Sequence, residues 1–296
     1  MKIPSLLLAF FLAITPSVWA DNLYVVAGVL VQEIDTTNIG GGETTYASGS
    51  LQAPQYATFN SAGNLYVGSF GNNSIPIWAP GGGGAIGTIH TNLDGPSGVA
   101  FSSIGNLYVS NNNGNSVSIF DSSNAFISTF STNMAAPAGI ALDSSDNVYV
   151  ANVASGNNTV SKFDSAGTFL LSITDASLSR PAGLAFDAGG NLYVANLTGN
   201  SVSVFNTSGT FLSTISDASV NIPQGLAFDS LGNLYVANTG SSSISVFNSA
   251  GVFQSNFAVS GAPVGLVITV PEPSTVVLLG LGLTALPLMK RRLRAS

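Results

Sequence analysis

The sequence predicts an all-β protein, a six-bladed β-propeller of four-stranded blades, with an apolar address segment at each end. Three observations carry that prediction. A marker string recurs six times at nearly constant spacing, each repeat holds four short apolar segments, and the first repeat lacks a strand that the last one supplies.

The marker is Asn-Leu-Tyr-Val or Asn-Val-Tyr-Val. It begins at Asn22, Asn64, Asn106, Asn147, Asn191 and Asn233, with spacings of 42, 42, 41, 44 and 42 residues. A second marker, Pro-x-Gly followed by apolar residues, begins at Pro96, Pro137, Pro181, Pro223 and Pro263, and Pro54 heads a degenerate copy, Pro54-Gln55-Tyr56-Ala57. A period near 42 exceeds that of a leucine-rich repeat and fits a propeller blade or a pair of helices.

The unit from Pro181 to Ile222 decides between them. Gly183 to Phe186, Asn191 to Ala195, Ser201 to Phe205 and Phe211 to Ile215 are short, rich in β-branched and aromatic residues, and bounded by Gly, Asn, Asp and Ser. That is the signature of strands. Asp187 to Gly190 and Asn206 to Gly209 each place a glycine late in the turn, where positive φ closes a hairpin. No segment outside the two ends keeps a helical period for ten residues, so the reading is a propeller.

Repeat phase predicts how the ring shuts. The chain after residue 20 opens with the second strand of a unit, and Pro263 to Ile268 is a first strand with no continuation. Pairing the two completes the first blade and removes an exposed edge.

The ends read as addresses. Residues 1–20 have Lys2, an apolar stretch from Leu6 to Ile14, and Val18-Trp19-Ala20, the layout of a secretory signal peptide cut after Ala20. Residues 270–296 hold Pro271-Glu272-Pro273, an apolar run over 275–289, and the basic tail 290–294 with Lys290, Arg291, Arg292 and Arg294. The apolar run is short but crosses if tilted or if Lys290 snorkels, and the basic cluster stays on the cytoplasmic side. The propeller is assigned to residues 21–269.

Composition excludes several functions. Charged residues make up 7% of the 296 and hydrophobic ones 45%, against a usual charged share of about 25%, which excludes disorder and a coiled coil. Cysteine is absent, and His90 is the single histidine. Residues 21–270 keep two cations against thirteen acids, a net charge of −11, which phosphate backbones repel, so no nucleic acid is expected as partner.

The C-terminal tripeptide, apolar helix and basic tail, in that order, resemble the PEP-CTERM sorting signal of Gram-negative, exopolysaccharide-producing bacteria. The resemblance implies that an exosortase cuts near Pro271–Pro273 after transient anchoring in the inner membrane, leaving the protein at the cell surface or in the extracellular matrix. A permanent single-pass anchor is the alternative. The repeat resembles the NHL family, whose pattern runs Pro-x-Gly-apolar-Ala-x-Asp, then Gly-Asn-apolar-Tyr-Val-Ala-Asp. The units from Pro137, Pro181 and Pro223 match best. Asn152, Asn196 and Asn238 replace the family's usual Asp, and the third strand reads Ser-Val-Ser-Val-Phe where arginine is common. The basic surface by which some NHL proteins bind RNA is thus missing.

The repeated residues read mainly as structure. Tyr24, Tyr66, Tyr108, Tyr149, Tyr193 and Tyr235 fall on strands buried between blades. Asp143, Asp187 and Asp229 open hairpin turns, where Asn60 and Ser102 substitute, as a turn role permits. The longer loops, those after strands two and four, share one rim of the disc, and binding residues favour such loops. The candidate ligand rim is therefore His90, Asp94, Asn111, Asn152, Asp175, Arg180, Asn196, Asp217 and Asn238.

No catalytic residue, metal site or cofactor is assigned: the repeated acids fall on turns, and Glu33, Asp35 and Glu43 are confined to the atypical first blade. The reading is an exported, non-enzymatic binding or scaffold protein at the cell surface or in the exopolysaccharide matrix, with an exopolysaccharide or an envelope protein as candidate partner. The alternatives are a protein-docking propeller of an envelope complex, and an exported metal-dependent lyase- or lactonase-like enzyme.

Overall fold

The computed structural model describes residues 21–36 and 42–269, so the expected signal peptide and the C-terminal segment, with Ala20, Pro271, Glu272, Pro273 and the basic tail, lie outside the described residues. Twenty-four strands form six antiparallel four-stranded sheets. Blades two to six each come from one continuous stretch, headed by the inner strands Pro54–Phe59, Pro96–Phe101, Pro137–Leu142, Pro181–Phe186 and Pro223–Phe228. Consecutive inner strands pack side by side around the axis, and Pro263–Thr269 fills the gap between Pro223–Phe228 and Pro54–Phe59.

Ring closure follows the repeat phase. Pro263–Thr269 is the inner strand of blade one and pairs with Asn22–Ala27, setting Asn22 opposite Thr269 and Leu23 opposite Ile268. Residues 21–269 therefore supply every strand of the ring. Asp21 adds a tie across the seam, its carboxylate accepting from the Ser230 N–H at 2.7 Å.

Six apolar clusters fill the six seams between blades. The repeated tyrosine of one blade meets the last residue of the next inner strand edge-on. Centroids lie 4.8 Å apart for Tyr24–Phe59, 4.9 Å for Tyr66–Phe101, 5.0 Å for Tyr149–Phe186 and 4.9 Å for Tyr193–Phe228. Each such pair adds about 0.5–1.5 kcal/mol beyond the area it buries. Where the sixth residue of the next inner strand is Leu142 or Ile268, Tyr108 and Tyr235 pack against an aliphatic group instead. Burial, reinforced by the Glu33 charge, pushes Tyr24 up to about 12.

On the tight-turn rim the acids serve the backbone. Asp143 Oδ1 accepts from the N–H groups of Ser145 and Asn147 at 3.0 and 2.9 Å, and Asp187 and Asp229 cap their turns likewise. Burial opposes ionisation of Asp143, but bonds from Asn147 and Ser145 and the Lys162 charge outweigh it and hold the carboxyl below its usual range.

Near the axis, inner strands approach too closely for a side chain. A Cβ on Gly183 would lie 1.8 Å from the Gln224 carbonyl oxygen, and one on Gly139 would lie 2.2 Å from that of Ala182. This is why Pro-x-Gly recurs. Blade two breaks the rule with Tyr56, and in its second strand Gly68 stands where other blades carry Ser110, Ala151, Ala195 and Ala237. The missing side chain lets Gly68 approach the Ser97 carbonyl, where a Cβ would come to 2.2 Å. The two departures share one blade.

Candidate axial binding site

The asparagines of the longer loops turn out to be fastenings inside the blades, which corrects their place on the candidate rim. Asn111, Asn152, Asn196 and Asn238 have 2%, 0%, 0% and 0% of their surface exposed. Each carboxamide oxygen accepts a backbone N–H from the loop that leads into its own blade: Asp94 at 3.1 Å, Ala135 at 3.0 Å, Ser179 at 3.0 Å and Asn221 at 3.0 Å. Each Nδ2 donates to a hydroxyl of the third strand, as Asn196 does to Ser203 at 2.9 Å. Those serines reach the same loop, Ser118 donating to the Asn92 carbonyl and Ser161 to that of Asn133. In blade two Ser69 takes the asparagine's part, bonding to the backbone of Gln52. The Ser-Val-Ser-Val-Phe strand is thus explained: its polar side chains are neutral and consumed internally.

A second set of asparagines ties blade to blade. Asn73, Asn115, Asn158 and Asn200, all at positive φ, accept from the N–H groups of Gly95, Ala136, Arg180 and Ile222 at 2.7, 2.6, 2.9 and 2.8 Å. Each donor precedes the next inner-strand proline, so these carboxamides serve as inter-blade ties.

The other rim residues do not converge. His90 and Asp94 are exposed, and His90 lines a shallow outer depression with Ile77 and Asn124. Asp175 and Asp217 cap loop turns, accepting from Ser177 and Ser219 at 2.8 Å each. The backbone bond from Ser219 holds Asp217 below its usual range. Of the rim residues assigned from sequence, Arg180 alone reaches the axis.

Where it reaches, there is a cavity of about 220 Å³. Its walls include the second residue of five of the six inner strands, Gln55, Ser97, Ala138, Ala182 and Gln224, which places it on the ring axis. Asn112 and Leu197, just beyond the second strands, and Arg180 line its mouth, and Tyr56 completes the wall. Several polar groups keep free valences among the described residues. Asn112 donates to the Pro137 carbonyl at 3.1 Å, leaving its oxygen; Gln55 donates to Ala53 at 3.2 Å, leaving its oxygen. Gln224 accepts from Thr239 at 2.7 Å, leaving its Nε2. The Tyr56 hydroxyl is shielded from solvent with no partner, and burial pushes its pKa up.

Sequence reasoning missed Tyr56 and the inner-strand second positions because it read loops rather than the axis. The signal was available in the one repeat where Pro-x-Gly reads Pro54-Gln55-Tyr56. Among the described residues no three His, Asp or Glu side chains are grouped to hold a metal ion. The first-blade acids are spoken for: Glu33 accepts from Asn22 at 2.8 Å and Tyr24 at 3.0 Å, and Glu43 from the Ser260 N–H at 2.7 Å.

Comparison with known proteins agrees with this architecture. The NHL repeat family matches residues 135–163 and 220–247, and the PEP-CTERM protein-sorting motif matches residues 269–294. No curated protein matches the sequence. Among solved structures, a chain of a nidogen/laminin complex is similar with a TM-score of 0.75 at 16% identity, covering 86% of this chain and all 100% of its own. Virginiamycin B lyase from Staphylococcus aureus, solved as an inactive variant with quinupristin, gives 0.63 at 16% identity, covering 80% and 84%. A streptogramin B lyase gives 0.65 at 14% identity, covering 82% and 91%. At such identities the likeness is one of fold. The sorting motif implies export in a Gram-negative bacterium with membrane-anchored processing by an exosortase. The chain is a six-bladed β-propeller in which two stretches, residues 135–163 and 220–247, match the NHL repeat, and residues 269–294 match the PEP-CTERM sorting motif.

Proposed function

We propose that the protein is an exported, non-enzymatic binding or scaffold propeller that works at the cell surface or in the exopolysaccharide matrix. The observation that carries this reading is the pairing of a sorting motif with a rigid ring whose axial cavity offers uncommitted, mostly neutral hydrogen-bonding groups beside apolar wall. Amide and hydroxyl groups of this kind suit sugar hydroxyls, while the fastened loops hold the cavity in shape at little entropic cost on binding.

The test is sedimentation of residues 21–269 with the producing strain's own exopolysaccharide across a salt series. Co-sedimentation that survives added salt supports binding through hydrogen bonds. No co-sedimentation, together with a stoichiometric protein captured from intact envelope, replaces this reading with a docking role. A tightly held divalent metal found by elemental analysis would point to the enzymatic alternative.

A further inference from the structure

Arg180 is electrostatically singular. The described residues contain two cations, and the other, Lys162, lies 3.7 Å from the Asp143 carboxylate and 4.9 Å above the Tyr149 ring. Arg180 has no carboxylate within ion-pairing distance among the described residues; its side chain makes only a long bond, 3.4 Å, to the Val153 carbonyl. No acid lines the axial cavity. In a body of net charge −11, this guanidinium thus stands at the mouth of an axial cavity whose lining carries no acid. A planar fork of donors so placed suits a carboxylate.

Tyr56 is the second singular residue. The other five blades have glycine at its position, so the phenol is an addition to the repeat that no repeated packing role requires. Its hydroxyl is buried and unpartnered, a condition that costs about 1–3 kcal/mol unless something in the cavity satisfies it. The volume of about 220 Å³ falls below the roughly 300–1,000 Å³ of sites for drug-sized ligands. One ring with its substituents fits there, and an oligomer does not.

We propose that the axial cavity binds a single carboxylate-bearing, polyhydroxylated ring of hexuronate size, with the carboxylate on Arg180 and ring hydroxyls on Tyr56, Gln55 and Gln224. The inference rests on the binding function proposed above and names its ligand. The same chemistry has two sources, a free sugar acid and the terminal uronate of a polymer.

Calorimetric titration of residues 21–269 with D-glucuronate, D-galacturonate, D-glucose and a short oligouronide tests it. At least one uronate binds saturably at one site, and glucose binds at least tenfold more weakly. Arg180→Gln reduces uronate affinity at least tenfold and leaves the melting temperature unchanged. Tyr56→Phe also weakens binding, and without ligand it melts no lower than the parent, which separates loss of a ligand contact from loss of fold. An oligouronide binding as tightly as the free acid identifies the polymer end as the source, and one that fails to bind identifies the free acid. Either supports the proposal. Absence of saturable binding by any uronate, or equal affinity in both variants, overturns it. If the parent still sediments with exopolysaccharide in that case, the broader binding function stands and only its assignment to this cavity and ligand falls.

Discussion

Blades two and five share one strand order yet treat the axis differently. In blade five the inner strand carries Gly183 against the Gln224 carbonyl, and Asn196, Ser201 and Ser203 lock the loops. In blade two Tyr56 stands in place of the glycine, Ser69 stands in place of the asparagine, and Gly68 lies against the Ser97 carbonyl. The lesson is that repetition in this chain marks scaffold. What differs between blades, chiefly Tyr56, the varied second positions of the inner strands, and Arg180 where others have Ala, Gly or Ile, marks the candidate site.

The comparison can be broken most severely at the seam. Deleting residues 263–269 removes the inner strand of blade one and leaves an unpaired edge at the axis. The expected loss is at least about 5 kcal/mol, comparable with the whole stability of many domains, seen as loss of a cooperative melting transition. An unchanged melting curve would sink the closure account.

Next in size is the repeated glycine. Gly183→Ala forces a methyl into the Gln224 carbonyl and is expected to cost about 3 kcal/mol by overpacking, measured by urea unfolding. The fastening asparagines come third. Asn196→Ala strips the Ser179 N–H and two serine hydroxyls of a buried partner, for about 2 kcal/mol. If Asn196 served a ligand instead, this variant would lose binding with its unfolding curve unmoved.

Acid should weaken the turn rim. Hydrogen bonds from Ser123 and Ala125 depress Asp121, one from Thr168 depresses Asp164, and Asp143 is likewise lowered. Their stabilisation is therefore present above the unfolded-state value of about 3.9 and fades as pH falls through the lower folded-state values. At the alkaline end Tyr24 and Tyr235, each raised to about 12 chiefly by burial, withdraw stability as pH climbs above the unfolded value of about 10. Chemical denaturation from acid to alkaline pH checks both limbs. The smallest effect is expected at Ile222, a β-branched residue at φ +49°. Ile222→Gly relieves that strain and should gain up to about 1 kcal/mol.

Most of the fold was legible in the sequence because a propeller writes each structural need six times. The Pro-x-Gly close approach, the buried tyrosine and the Asx turn at Asp187 each recur, so one blade interprets the next. The site was less legible for the same reason. Asn111, Asn152, Asn196 and Asn238 read in the sequence as the start of loops, but they close the second strands, and only the three-dimensional register shows their carboxamides turned inward onto Ser118, Ser161, Ser203 and Ser245. Gln55, Ser97 and Gln224, distant in sequence, meet only because the inner strands share an axis.

For the axial cavity to bind as proposed, the Tyr56 hydroxyl must be spare to the fold and available to a ligand. The most direct measurement is the melting temperature of Tyr56→Phe beside the parent, without ligand. An equal or higher value is expected, since the variant removes a buried hydroxyl that has no partner. A fall of several degrees would show that the hydroxyl holds the ring together, and would contradict the assignment of the axial cavity as the binding site.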